Sequence, residues 1–112
     1  MERKRILFTE PCVAKLCTVD CPLPKKGQVL VKMAVSTISS GTERANLIGE
    51  VNVNSTRYNT QARFPRSGGY SSVGRVVADR GAFRAGDRVA MCWSTHAQVI
   101  NISQSHVYKL PD

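Results

Sequence analysis

Hydrophobic and polar residues alternate most cleanly between Gln28 and Ser36. There Val29, Val31, Met33 and Val35 share one face while Lys32 and Ser36 fall on the other. That period of two is the signature of a half-buried antiparallel strand, and it predicts that all four apolar residues face a core. Residues 4–9 and 13–19 are two further β-favouring runs. Glu10-Pro11-Cys12 separates them, and because Pro11 cannot continue a ladder they read as a hairpin. Two prolines and a glycine make Cys21-Pro22-Leu23-Pro24-Lys25-Lys26-Gly27 a turn. Later runs at 73–78, 88–93, 97–102 and 107–110 keep the β pattern to the end of the sequence, with Val89, Met91 and Trp93 expected on one face.

A single segment breaks that rhythm convincingly. Ser40-Gly41-Thr42-Glu43 matches a capping box, in which a serine hydroxyl caps a backbone donor and the glutamate reaches back. Ala45, Leu47 and Ile48 continue a short helix, and Gly49 can supply its left-handed end. Residues 50–67 are polar and irregular and read as a long surface loop. About seven short strands with one credible helix predict a mostly β chain curled into a closed or nearly closed barrel.

Composition narrows the class without naming a function. The 112 residues are 42% hydrophobic and 21% charged, ordinary values for one globular domain. No signal-peptide core follows the basic N-terminus, and no apolar run approaches the ~20 residues that cross a bilayer, so the cytoplasm is the default compartment. Matches to glycosylation sequons at Asn54-Ser55-Thr56 and Asn101-Ile102-Ser103 are therefore attributed to chance. The four cysteines, Cys12, Cys17, Cys21 and Cys92, form neither a disulfide framework nor a Cys-x-x-Cys pair and read as packing thiols. His96 and His106 lack metal-ligand spacing and are read as packing residues too. A net charge of +8 invites a nucleic-acid reading, but apart from Arg3-Lys4-Arg5 and the Lys25-Lys26 turn the basic residues are scattered, and no aromatic side chains interleave with them. A solvated basic surface, or one facing an acidic partner or anionic cofactor, accounts for the charge equally well.

Four segments in order carry a resemblance. They are Gly27-Gln28-Val29-Leu30-Val31-Lys32, Ser40-Gly41-Thr42-Glu43, Gly69-Tyr70-Ser71-Ser72-Val73-Gly74-Arg75-Val76-Val77 and Gly86-Asp87-Arg88-Val89, followed by Leu110-Pro111-Asp112. Together they resemble the N-terminal, GroES-like catalytic domain of the medium-chain dehydrogenase/reductase family, whose zinc members are alcohol dehydrogenases. The resemblance spans essentially the whole chain. It implies a GroES-like, partly open β-barrel with one or two short helices, filling residues 1–112 as one domain.

The resemblance also implies a site. Ser40 falls where zinc members place a cysteine ligand, and Tyr70 and Ser71 fall where they place a histidine ligand and an acid. Neutral hydroxyls are poor zinc donors, so no metal is expected there. Thr42 matches the hydroxyl that relays a proton in alcohol-oxidising members, and Tyr70 would project into the vacated metal position. Ser40, Thr42 and Tyr70 are accordingly the substrate-cleft candidates. A structural role fits each as well: Ser40 as a helix cap, Thr42 as a first-turn residue, Tyr70 as a packed aromatic. Glu43 is expected to complete the capping box rather than act as a base.

No Gly-x-Gly-x-x-Gly follows a strand, so the NAD or NADP that the resemblance implies must be held by a Rossmann-type domain outside these residues. The chain is then the substrate domain of a zinc-independent oxidoreductase, inactive alone, as one piece of a longer enzyme or beside a cofactor-binding partner. The alternative is a self-associating GroES-like binding or scaffold module. The co-chaperonin that shares the barrel ranks below both, since residues 50–67 lack an apolar docking segment.

Overall fold

Strand pairing in the computed structural model, which describes residues 1–49 and 64–111, follows the alternation closely. The first two strands, β1 (Glu2–Glu10) and β2 (Val13–Asp20), form the expected hairpin. The remaining strands are β3 (Gln28–Ser36), β4 (Ser71–Val76), β5 (Arg88–Cys92), β6 (Val99–Ser103) and β7 (Val107–Lys109). They build an antiparallel sheet in the order β6-β3-β4-β5-β7, strongly curled into a half-barrel. Among the described residues one α-helix, α1 (Ser40–Ile48), ends at Gly49 with φ 78°, the left-handed stop expected of that glycine. A single 3₁₀ turn, Gln104–His106, precedes β7. The fold is therefore mostly β and partly open, as expected. Among the described residues no helix is long and apolar enough to cross a membrane. Residues 50–63, most of the expected loop and its sequon, lie outside the described residues.

The core fills the concave face. Val29 and Val31 on β3, Val76 on β4, Val89 and Met91 on β5, Ile100 and Ile102 on β6 and Val107 on β7 are all buried, with Phe83 closing one end. Gly74 belongs to this face because the β3 backbone crosses it closely: a Cβ there would collide with the Lys32 carbonyl and meet Val31 Cγ1 at 2.9 Å. The β1–β2 hairpin docks on the β5–β6 connection rather than joining the sheet. Ile6 donates to the His96 carbonyl and Gln98 donates to that of Lys4, each at 2.9 Å.

Two expected core residues lie outside. The β3–β4 register shifts between Met33 and Val35, and a one-residue bulge inverts every later side chain on the strand. Val35, placed inward by alternation, is 60% exposed, and Ser36 instead turns toward Ser72. Trp93 adopts φ 59° just past the end of β5, which likewise breaks parity: its ring is 73% exposed and Ser94 is buried in its stead. All four thiols are free, but of the four expected to pack only Cys21 is buried. Cys12 is exposed, at φ 66° in the hairpin turn.

Candidate functional site

Both breaks in alternation deliver hydroxyls to the same end of the apolar core. Ser72, inward on β4, bonds Ser94 Oγ at 2.6 Å, and both are buried. Beside them the β5–β6 connection inverts the chain so that His96 is buried as well. The imidazole is engaged at both nitrogens: Nδ1 lies 2.6 Å from Ser36 Oγ and Nε2 lies 2.5 Å from Glu43 Oε1. An ionised carboxylate can only accept, so Nε2 carries the proton toward Glu43, and a neutral imidazole then accepts the Ser36 hydroxyl at Nδ1. The result is a Ser36–His96–Glu43 relay whose members come from β3, the β5–β6 connection and the first turn of α1.

Glycines make room for it. Gly68 packs against Glu43 Oε2 so closely that any Cβ would collide with that oxygen. Gly69, at φ 97°, lies where a Cβ would sit 3.1 Å from His96 Nε2. The second Glu43 oxygen has no hydrogen-bond partner among the described residues.

This placement corrects the capping-box expectation. The residue preceding α1 is Ser39, which makes no side-chain cap, and Glu43 keeps only its ordinary helical bond from its N–H to the Ser39 carbonyl at 2.8 Å. A buried imidazole offers the carboxylate a stronger, charge-assisted partner than an exposed helix end does. His96, read as a packing residue, is the hub of the arrangement.

Two cavities meet at His96. One, of about 310 Å³, is walled by Ile6, Phe8, Ile38 and Leu47 and carries Ser40, Glu43 and His96. The other, of about 260 Å³, is lined by Ser36, His96, Met33, Leu16 and the neighbouring backbone of β1. Of the three residues expected in a substrate cleft, the structure brings Ser40 to the first cavity, beside the relay. Thr42 and Tyr70 line neither: Thr42 is exposed and its carbonyl accepts from Asn46 Nδ2 at 3.0 Å. Tyr70 is 39% exposed and its carbonyl accepts the Trp93 N–H. Among the described residues no three His, Cys, Asp or Glu side chains come close enough to hold a metal ion.

The curled half-barrel and its docked hairpin form the GroES-like fold of the N-terminal domain of medium-chain oxidoreductases. No protein-family model and no curated protein sequence matches the chain. Solved structures do. The human synaptic vesicle membrane protein VAT-1 homolog-like protein is 19% identical with a TM-score of 0.81, over 100% of this chain and 36% of its own. The quinone oxidoreductase from Coxiella burnetii is 22% identical with a TM-score of 0.76, over 97% and 37%. The TarJ protein of S. aureus, solved in complex with NADPH, is 20% identical with a TM-score of 0.72, over 100% and 34%. What they share with this chain is the fold, and the chain spans about a third of the length of these structures.

Proposed function

We propose that this chain is the substrate domain of a zinc-independent, NAD- or NADP-dependent oxidoreductase acting on a small apolar alcohol or carbonyl compound, and that it is inactive by itself. The observation that carries this reading is the buried Ser36–His96–Glu43 relay opening beside Ser40 into an apolar cavity, in a domain whose structural neighbours include oxidoreductases. Reduction of a carbonyl or oxidation of an alcohol needs a proton moved at the substrate oxygen. His96, hydrogen-bonded on both sides, is placed to hold that proton and pass it between Ser36 and Glu43.

Zinc does not fit the available donors. Ser40, Tyr70 and Ser71 offer neutral hydroxyls, which are poor zinc donors, and the one buried imidazole already spends both nitrogens on Ser36 and Glu43. A nicotinamide dinucleotide does not fit the described residues either. The only α-helix among them follows β3 through residues 37–39, without the glycine-rich turn that lets a backbone cradle a pyrophosphate. The hydride carrier therefore belongs to a second domain.

Co-expression of the chain with a neighbouring Gly-x-Gly-x-x-Gly domain tests this. The pair should reduce small ketones with a nicotinamide cofactor, unaffected by chelators, and His96→Asn should slow turnover by roughly 10²–10⁴-fold. Turnover that needs added zinc, or that ignores His96, would overturn the proposal.

A second reading, a self-associating module, draws on one feature. Val35, Val73, Ala90 and Tyr108 align across β3, β4, β5 and β7 on the convex face, and Val35, Val73 and Tyr108 are exposed. Such a row is an apolar stripe that a second copy could cover.

A further inference from the structure

Away from the relay, a third cavity of about 320 Å³ lies where the N-terminal half of β1 faces the turn before β3 and the start of β6. Its charged lining is of one sign. Arg3 and Arg5, two residues apart on β1 and so on the same side of the strand, meet Lys25 from the turn, while Gln28, Thr95 and Asn101 complete the polar wall. No aspartate or glutamate lines it, and no ion pair among the described residues engages Arg3, Arg5 or Lys25.

The donors there are under-used. Arg3 gives Nη1 to the Val99 carbonyl at 3.0 Å, but the Nε–H groups of both Arg3 and Arg5 are buried without a partner; the Asn101 Oδ1 acceptor is buried without one as well. Asn101 Nδ2 is spent on the Pro22 carbonyl at 2.6 Å, which fixes the wall between turn and strand. Burial, and then the neighbouring Arg3 charge, push the Arg5 guanidinium below its ordinary pKa, with the Cys17 sulfur acting weakly in the other direction. Two half-buried guanidinium groups of like charge are costly to hold together unless an anion joins them. Guanidinium forks match the oxygens of a tetrahedral dianion in a way that a chloride ion cannot exploit.

We infer that this cavity is a binding site for a phosphate dianion, free or as a phosphomonoester, held by Arg3, Arg5 and Lys25. It is separate from the relay and its two cavities except that Arg5 also borders the smaller of them. The inference does not depend on the oxidoreductase reading.

Thermal unfolding of the full chain, supported by isothermal titration, tests it with inorganic phosphate, AMP and adenosine at constant ionic strength set with chloride. Phosphate at about ten times its Kd should raise Tm by roughly 5 °C over the chloride control. A rise with inorganic phosphate identifies the free ion as sufficient; a rise with AMP but with neither phosphate nor adenosine identifies a phosphomonoester. Arg3→Gln and Arg5→Gln should abolish the response, and Lys32→Gln, exposed on β3 outside the cavity, should keep it. If the arginine variants fail to fold, Lys25→Met in the exposed turn should still weaken phosphate binding at least several-fold. No rise with phosphate or AMP, or a rise that survives all three cavity variants, would overturn the inference.

Discussion

His96 owes its position to the absence of atoms as much as to bonds. Gly68 and Gly69 leave the space in which Glu43 and the imidazole meet, so a single methyl group at Gly68 must displace the carboxylate. Gly68→Ala is expected to destabilise the fold by about 1–3 kcal/mol, as overpacking does, and to shift the His96 ring resonances; urea unfolding and NMR of the same sample check both. Asp87 makes a second residue-scale prediction. The Arg84 backbone N–H holds its carboxyl below the usual carboxylate range, helped by Lys109 at 3.5 Å and by Arg84, while desolvation opposes the shift. A lowered folded pKa contributes stability that is present above the unfolded value and disappears as pH falls through the folded one. Asp87→Asn should therefore lower stability at neutral pH, and its deficit should close below about pH 4, which denaturation at stepped pH would reveal. Neither Glu43 nor His96 announces this chemistry in the sequence. The three relay members are separated by 53 and 60 positions, and only the sheet topology brings them together.

At the scale of elements, strand parity decides which side chains reach the site. Alternation in residues 28–33 is legible because Val29, Val31 and Met33 all pack toward the core, and β3 occupies the residues the alternation predicts. The inversion after Met33 is not legible, since Lys32-Met33-Ala34-Val35 contains no glycine or proline to mark a bulge. Ser40-Gly41-Thr42-Glu43 misleads for a related reason: its helix was correctly placed, but the capping pattern competes with a buried partner that lies far along the chain. Deleting Ala34 should give an unbroken register that keeps Val35 opposite Val73 on the outer face and Ser36 opposite Ser72 on the inner one. The outcome expected is a folded chain whose His96 Nδ1 chemical shift is unchanged. A shift showing that the imidazole has lost its hydroxyl would mean that the bulge itself, and not the pairing with β4, sets Ser36.

For the whole molecule, the four-segment resemblance made the architecture legible, and solved structures share that architecture at identities near 20%. The site was less so: of Ser40, Thr42 and Tyr70, only Ser40 borders a cavity beside the relay. The convex apolar row carries a separate prediction. Sedimentation should show association that strengthens with concentration and is weakened by Val73→Lys, whereas a strict monomer at high concentration would leave the module reading without its physical motive. The most direct measurement of the central claim uses the intact chain with isotope-labelled histidine and serine. Titrated with cyclohexanone, the His96 ring resonances and the Ser40 amide should shift saturably and together, while His106 stays fixed. Shifts confined to other residues, or none up to the solubility of the ketone, would contradict a substrate cavity at the Ser36–His96–Glu43 relay.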